Sequence, residues 1–233
     1  MERLSADTVL LFSGLDPSGA AGIAADIETI NQFGVTSLPI ITTLTAQNTQ
    51  KVLSLEPTNN LFLNDQFRLI DDDIYFKTVK IGLLGSLSQI ETISRLLSTR
   101  KDFVIILDPI IMSSSNNELS SNDMIDMMKK VLIPLCTLIT PNLEELKLLA
   151  PGLDEKLAVK SLNCPWTLIT TSDSSEIEIE HRLYHYSDLI RKFSYKKLPG
   201  KYHGSGCTLS SAISALMATG VEVEEASRRG LDY

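Results

Sequence analysis

Short apolar runs alternate with amphipathic segments along most of the chain. A continuous apolar run of about four to eight residues between turn residues indicates a buried strand, whereas apolar positions spaced three or four residues apart indicate a covering helix. The alternation predicts an α/β fold, with helices on both faces of a mainly parallel central sheet. The predicted strands are residues 8–13, 35–43, 78–82, 103–107, 135–139 and 166–171, with edge or hairpin strands at 177–180 and 183–186. The predicted helices follow residues 14–22 and 204–206 and span residues 61–70, 87–97 and 122–131.

Glycines and polar side chains stand at the carboxyl ends of these predicted strands. The residues concerned are Gly14, Gln47, Gly82, Asp108 and Asn142. Parallel strands of an open α/β sheet have their carboxyl ends at one edge, where ligands bind, so we expect these residues to line a single ligand site. The amide of Gln47 both donates and accepts hydrogen bonds, which suits a heterocyclic ligand.

Asn142 and Glu145 stand three residues apart at the start of a predicted helix. An amide and a carboxylate on one helical turn can hold the hydration shell of a magnesium ion. The same spacing is typical of a capping box, with Asn142 as N-cap and Glu145 at the third helical position. The two interpretations are compatible, and the spacing alone favours the cap.

A glycine-rich turn precedes the small-residue segment near the C-terminal end. Gly204 and Gly206 flank Ser205, which lets the backbone take positive φ and approach a ligand closely. The unpaired N–H groups and the positive end of a helix at this point predict an anion site. Cys207 falls in the first turn of that helix, where the same field is expected to lower the pKa of its thiol.

Composition and charge indicate which classes of protein function are compatible with this chain. The chain has 233 residues, of which 43% are hydrophobic and 21% charged, and we predict one domain over residues 1–233. A formal net charge of −8 argues against a general nucleic-acid binder. Three cysteines without metal-ligand spacing predict reduced thiols and a cytoplasmic protein, and no apolar run predicts a membrane span. The turn at residues 14–22 lacks the dinucleotide fingerprint, so the sequence does not predict NAD binding.

Taken in order, these motifs resemble the ribokinase-like superfamily, and within it the hydroxymethylpyrimidine/phosphomethylpyrimidine kinases of thiamine biosynthesis. The stretches that carry the resemblance are residues 14–26, 44–49, 80–82, 108–109, 140–145 and 203–210. The resemblance implies a three-layer α/β/α sandwich and ATP- and Mg²⁺-dependent phosphorylation of 4-amino-5-hydroxymethyl-2-methylpyrimidine and of its monophosphate. It also implies a homodimer.

The resemblance further implies roles for individual residues. The backbone of Gly204, Ser205 and Gly206 would cradle the transferred phosphoryl group, and Cys207 would accept the proton of the substrate hydroxyl. The residues implied to bind the aminopyrimidine are Gly14, Asp26, Gln47 and Leu83. The residues implied to bind the ATP phosphates are Asp108, Asn142, Glu145 and Thr208, of which Asp108 and Glu145 would hold Mg²⁺, partly through water.

Two departures from the family pattern keep alternatives open. Ser114 stands at about the position of a usual lysine, and a second usual lysine is replaced within Thr170-Thr171-Ser172. Losing charge-assisted contacts to a buried phosphate costs about a few kcal/mol. Lys201 is close in sequence to the glycine-rich turn. The alternatives are a weakened relative that binds the pyrimidine without efficient ATP use, and a pyridoxal-type kinase.

Overall fold

The computed structural model describes residues 7–112, 119–170, 178–200 and 202–233. In these residues nine strands form one sheet in the order β3-β2-β1-β4-β5-β6-β7-β8-β9. The strands are β1 Thr8–Leu15, β2 Thr36–Gln47, β3 Val52–Pro57, β4 Thr78–Ile81, β5 Val104–Leu107, β6 Leu138–Ile139, β7 Trp166–Ile169, β8 Glu178–His185 and β9 Asp188–Lys196. The α-helices are α1 Gly22–Gln32, α2 Asn60–Asp73, α3 Leu87–Leu97, α4 Asn122–Met127, α5 Leu143–Leu149, α6 Glu155–Ser161, α7 Ser205–Ala218 and α8 Val223–Asp232.

The six strands from β2 to β7 in the sheet order run parallel, whereas β3 pairs antiparallel with β2, β8 with β7, and β9 with β8. The chain adds β2 on one side of β1 and β4 on the other side. The carboxyl end of β1 therefore lies where the direction of strand addition reverses, which is the usual ligand-binding position in open α/β sheets.

The two faces of the sheet carry different helices. Leu11, Lys80 and Ile106 are aligned across β1, β4 and β5, so their side chains point to the same face. Leu11 packs in a cluster with α1 and α7, and Ile106 packs in a cluster with α7 and α8. The neighbouring strand residues pack on the opposite face against α2 to α6. The predicted three-layer sandwich with a mainly parallel sheet is thus confirmed.

The predicted helix 87–97 has the bounds of α3, and Ser86 accepts a hydrogen bond from the backbone N–H of Gln89 at 3.3 Å. The strand predicted at 35–43 was too short, because β2 continues to Gln47 and turns into the unpredicted β3. The polar residues expected after that strand are therefore part of its antiparallel ladder with β3. None of the β3 residues is buried, and polar residues interrupt its apolar ones, so it lacks the continuous apolar run of a buried strand.

Two further boundaries differ from the predictions. The helix predicted at 122–131 is α-helical only to Met127 and continues as a π turn, Met128–Leu132, and a 3₁₀ turn, Ile133–Leu135. Pro134 lacks the N–H that a further α-helical turn requires. The alternating segments predicted at 177–180 and 183–186, of which residue 177 lies outside the described residues, form one strand, β8, and its antiparallel partner β9 was not predicted. In the part of the chain that the structure describes, no helix combines the length and the apolar character that a membrane span requires.

Candidate active site

Two loops face each other at the carboxyl edge of the sheet. Residues 16–21, between β1 and α1, are called the β1 loop. Residues 202–204, which lead into α7, are called the α7 loop. Gly204 has a φ of +86°, and a Cβ at this residue would lie 1.8 Å from the carbonyl oxygen of Ala20. Only glycine fits here, both for its conformation and for its close approach to the β1 loop.

The N-terminus of α7 opens beside Asp108. Gly204 is the N-cap, and within the described residues no side chain caps this helix end. A Cβ on Gly206 would lie 3.8 Å from Oδ2 of Asp108, and both Ser205 and Gly206 are exposed. First-turn N–H groups at an exposed helix end attract anions through both hydrogen bonding and the helix dipole. The structure thus places the predicted anion site next to the predicted metal-binding carboxylate.

Asp108 is a buried carboxylate at the end of β5. Ser210 donates a hydrogen bond from Oγ to Oδ2 of Asp108 at 3.2 Å, and the Cys207 thiol lies within hydrogen-bonding reach. Burial raises the pKa of Asp108 above its usual value, and the Asp26 charge adds to this, although the Lys80 ammonium opposes it. A nearby cation would therefore stabilise the ionised form of Asp108.

Cys207 does not have the lowered pKa expected from its position in the helix. Burial raises the pKa of its thiol to about 12, and the charges of Asp108 and Asp26 add to the effect of burial. The Lys80 ammonium and the N–H of Gly22 lower the pKa, but by less. The prediction of a reactive thiolate is wrong because desolvation and two carboxylates outweigh the field of the helix end.

A buried ion pair lies beneath this centre, and the sequence interpretation missed it. Nζ of Lys80 is 2.7 Å from Oδ1 of Asp26, and both side chains are fully buried. Ser211 donates to the same oxygen at 2.8 Å. Burial disfavours the charged form of Lys80, yet the carboxylates of Asp26 and Asp108 raise its pKa above the usual value. The sequence did contain a sign of this pair, namely a lysine inside the apolar strand β4. A charge at such a position needs a buried partner of opposite charge.

This burial corrects the role given to Asp26. The sequence analysis assigned Asp26 to direct contact with the aminopyrimidine, but its carboxylate has no solvent-exposed surface and is bound by Lys80 and Ser211. Direct contact with a ligand would first require the groups that cover this carboxylate to move, because Asp26 is fully buried. Asp26 is placed instead to anchor α1 against β4 and α7.

The structure brings the other residues of the predicted pyrimidine side to the end of β1. A Cβ on Gly14 would lie 2.9 Å from Cδ2 of Leu83, so these two residues are in contact. Thr45 donates a hydrogen bond from Oγ1 to the carbonyl oxygen of Leu15 at 2.8 Å, which ties the end of β2 to the end of β1. Gln47 is half-buried two residues further along β2 and pairs with Val52 of β3.

Asn142 and Glu145 form the predicted capping box. Oδ1 of Asn142 accepts from the Glu145 N–H at 2.9 Å, and Oε2 of Glu145 accepts from the Asn142 N–H at 3.0 Å. Glu145 is buried, and burial together with the Asp108 charge raises its pKa to about 8. The capping box explains the position of Glu145. It does not explain why the Glu145 carboxylate is buried near the like charge of Asp108.

Mg²⁺ fits this pair of carboxylates. It takes oxygen ligands and uses one or two protein carboxylates, with water and phosphate oxygens completing its shell. Asp108 and Glu145 supply that donor set, and a cation would favour the ionised form of both buried carboxyls, including Glu145, whose pKa the Asp108 charge helps to raise. Among the residues described by the structure, no group of three or more His, Cys, Asp or Glu is placed to hold a metal ion.

Thr208 is not on the Asp108 side of α7. Its side chain lines a cavity of about 340 Å³ between α1 and α7, together with Ala25, Thr29 and Tyr233. Its backbone N–H donates to the carbonyl oxygen of Gly204 at 2.9 Å. The contact with ATP phosphate predicted for Thr208 is therefore not supported, because residues 208 and 210 point in opposite directions on a helix.

Some positions in the predicted ATP region lie outside the described residues. These are Ser114, Thr171, Ser172 and Lys201. Thr170 is described, and its backbone N–H donates to the carbonyl oxygen of Pro141 at 2.9 Å.

Comparisons with known proteins agree with this geometry. A model of the phosphomethylpyrimidine kinase family matches residues 16–233. The chain belongs to this family. The match confirms the predicted family and the predicted class of enzyme, a kinase that acts as a phosphotransferase.

Several named relatives support this assignment. The hydroxymethylpyrimidine/phosphomethylpyrimidine kinase of Aquifex aeolicus is 34% identical, over 88% of this chain and 84% of that protein. The enzyme of that name from Staphylococcus aureus MSSA476 is 27% identical, over 96% of this chain and 85% of that protein. A Schizosaccharomyces pombe protein that carries the same kinase name is 31% identical over the whole chain, which spans 47% of that protein.

Solved structures of similar fold come from two kinds of vitamin kinase. An ADP complex of Bacillus subtilis pyridoxal kinase has a TM-score of 0.87 at 27% identity and covers 97% of this chain and 89% of that chain. The phosphomethylpyrimidine kinase of Clostridium difficile 630 has a TM-score of 0.80 at 29% identity and covers 96% and 95% of the two chains. These matches confirm the ribokinase-like fold.

Proposed function

We propose that the protein transfers the γ-phosphoryl group of ATP to the hydroxymethyl group of 4-amino-5-hydroxymethyl-2-methylpyrimidine, and then to the resulting monophosphate, in thiamine biosynthesis. The observation that carries this proposal is the exposed N-terminus of α7 beside Asp108 and Cys207, in a chain of this kinase family. Phosphoryl transfer needs mainly positioning of the reactants and stabilisation of charge on the migrating group. An uncapped helix end facing a potential metal site suits both needs.

Each part of the site has a role in this reaction. The backbone N–H groups of Ser205 and Gly206 hold oxygens of the migrating phosphoryl group. Cys207 lies nearest to them and is the proposed acceptor of the hydroxyl proton, which it can take only after losing its own proton. Asp108 is the group within reach of that thiol. Because Asp108 is also a proposed Mg²⁺ ligand and stays ionised, the thiol proton is proposed to pass to solvent before the transfer, and the Lys80 ammonium favours the thiolate that results.

Mg²⁺ is the proposed cofactor, held by Asp108 and Glu145. When bound, it would neutralise charge on the ATP phosphates and on both carboxylates. Asn142 keeps Glu145 in place through the capping box, so its role is to orient a metal ligand.

The pyrimidine is proposed to bind at the end of β1. Gly14 has no side chain, which lets Leu83 pack directly against it. Leu83 is proposed to supply an apolar surface, and the Gln47 amide both a donor and an acceptor for the ring. Asp26 supports this part of the site from beneath through Lys80 rather than by contact with the ring.

The homodimer expected from the resemblance remains a proposal, as does the cytoplasmic location. Several large apolar side chains on β3 and α2 are exposed, and they lie on the pyrimidine side of the sheet. The most exposed are Leu53, Leu61, Phe62 and Leu69. Clusters of such side chains are typical of protein–protein interfaces. Sedimentation analysis should give twice the chain mass, and a monomer at all concentrations would contradict the dimer.

A pyridoxal-type kinase is the second candidate, because the pyridoxal kinase of B. subtilis gives a TM-score of 0.87. Pyridoxal and the pyrimidine are both hydroxymethyl heterocycles, so fold similarity alone does not separate them. A third candidate, a relative that binds the pyrimidine but uses ATP poorly, is motivated by the lysines missing around Ser114 and Thr170.

One assay separates these candidates. The full chain is incubated with ATP, Mg²⁺ and either the pyrimidine alcohol or pyridoxal, and mass spectrometry detects the phosphorylated products. Formation of the pyrimidine mono- and diphosphate supports the proposal, whereas faster phosphorylation of pyridoxal favours the second candidate. Turnover at background, with calorimetric binding of the pyrimidine retained, would support the third candidate and reject the kinase proposal. Omission of Mg²⁺ tests the cofactor.

A further inference from the structure

Two side chains join the loops that face each other at this site. Nε2 of His203 lies 3.0 Å from Oδ2 of Asp16, although the residues are 187 positions apart in sequence. The side chain of Asp16 is 1% exposed and that of His203 is 18% exposed. The contact connects the β1 loop, on the proposed pyrimidine side, to the α7 loop, on the proposed phosphoryl side.

Asp16 is held firmly by its own loop. Oδ1 accepts from the N–H of Ser18 at 2.8 Å and from its hydroxyl at 2.7 Å, while Oδ2 accepts from the N–H of Ala21 at 3.0 Å. Although burial opposes ionisation, the hydrogen bonds from Ser18 and His203 lower the pKa of Asp16 below its usual range. An ionised carboxylate only accepts hydrogen bonds, so Nε2 of His203 is the donor.

The residue after His203 transmits this contact to α7. Gly204 packs against the carbonyl of Ala20 so closely that no side chain fits between them. Ser205 and Gly206 follow at once as the first turn of the helix. A displacement of His203 would therefore move the N–H groups proposed to hold the migrating phosphoryl group.

We propose that Asp16 and His203 are positioning residues, whose contact fixes the first turn of α7 relative to the end of β1. This rests on the proposed function, since it assigns the contact to the alignment of the phosphoryl group with the substrate hydroxyl. Neither residue touches the reacting atoms. Their contribution is to the geometry of transfer and hence to kcat rather than to pyrimidine affinity.

The test compares three variants of the full chain. His203→Ala removes the donor, whereas His203→Gln keeps an N–H at about the reach of Nε2. Tyr202→Phe is the matched control, because it removes a hydrogen bond of the same loop, from the Tyr202 hydroxyl to the carbonyl of Pro199, and leaves Asp16 untouched. Steady-state kinetics give kcat and KM for the pyrimidine, and hydrogen exchange of residues 202–208 reports on the loop without substrates.

We expect His203→Ala to lower kcat roughly 10–100-fold with KM for the pyrimidine changed less than about twofold, since misplacement of about 1 Å can cost about 100-fold in rate. Exchange in residues 202–208 should rise in the same variant. His203→Gln should recover most of both properties, and Tyr202→Phe should match the wild type.

The proposal is overturned if His203→Ala keeps the wild-type kcat, or if the loss falls on KM alone. It is also overturned if His203→Gln restores the slow hydrogen exchange of residues 202–208 but not kcat, since that would leave only a structural role. Failure of the proposed function looks different, because the wild type itself would then lack turnover. In that case the exchange measurement still tests the contact, and unchanged exchange in His203→Ala rejects it.

Discussion

Replacing Lys80 by methionine tests the buried ion pair most directly. Methionine keeps the length of the side chain but removes its charge, so Asp26 would remain buried with one hydrogen bond, from Ser211. In the described part of the chain, Oδ2 of Asp26 already has no hydrogen-bond partner. The variant therefore leaves the buried Asp26 carboxylate without an opposite charge beside it.

The cost follows from the arrangement of these three side chains. Breaking a buried pair by removing one partner costs about 3–5 kcal/mol. The double variant Lys80→Met/Asp26→Leu removes both charges, so it should recover most of the lost unfolding free energy. A loss of about 1–3 kcal/mol should remain, because the Ser211 hydroxyl has lost its acceptor. Adding Ser211→Ala should bring the unfolding free energy close to that of the wild type.

Urea unfolding at neutral pH measures this series. Lys77→Met is the matched control, because Lys77 is exposed just before the same strand, and it should change stability by less than about 0.5 kcal/mol. Turnover of the stabilised triple variant should remain low, since the Lys80 charge also acts on Asp108 and Cys207. The series thus separates the contribution of the ion pair to folding from its contribution to the site.

Two outcomes would refute the reasoning. If Lys80→Met alone cost less than about 1 kcal/mol, the pair could not be the buried anchor described above. If the double variant were no more stable than Lys80→Met, the loss would come from packing around residue 80 and not from an uncompensated carboxylate. Wild-type turnover in the triple variant would show that the Lys80 charge does not matter to the site.

Three further predictions concern single residues. Cys207→Ala should abolish turnover but keep pyrimidine affinity, measured by calorimetry, and unchanged turnover would remove the thiol as proton acceptor. Gly204→Ala should lose far more stability in urea unfolding than Gly220→Ala. Both glycines have a φ of +86°, but only a side chain at residue 204 would meet the Ala20 carbonyl. Equal losses of stability in the two variants would contradict this close approach. Burial lowers the pKa of His181 from 6.5 to about 4, so the folded state resists a proton that the unfolded state takes up. Stability should therefore fall as the pH drops from 6.5 towards 4, and His181→Gln should remove that part of the dependence; a parallel loss in both proteins would refute the assignment.

The central layer of the fold was predictable because its strands are apolar on both faces. Such strands form continuous apolar runs, and β1, β4, β5 and β7 all gave that signal. The edge strands β3 and β9 gave weaker signals, since they are mostly exposed and mix apolar with polar residues without a continuous apolar run. Long polar strands such as β9 depend on pairing with a neighbour, which a local pattern does not contain.

The rim of the site was predictable for a similar reason. Gly14 lies at the end of β1, and Asp108 and Asn142 follow β5 and β6, so the common direction of these parallel strands brings them to one edge. The chemistry of that edge was harder to predict. The pKa of Cys207 depends on burial and on the charges of Lys80, Asp108 and Asp26, and its position on α7 contains neither piece of information.

The small residues of α7 show why the interior of the site escaped the sequence interpretation. A run of small side chains indicates a tightly packed helix, which α7 is: a Cβ on Gly230 of α8 would lie 2.7 Å from Cγ1 of Ile213. Yet two adjacent serines in this run bind different carboxylates, Ser210 to Asp108 and Ser211 to Asp26. Close packing brings their short hydroxyls within reach of groups on β5 and α1. The same small residues thus pack the helix and link its first turns to both buried acids, and only the tertiary structure distinguishes the two roles.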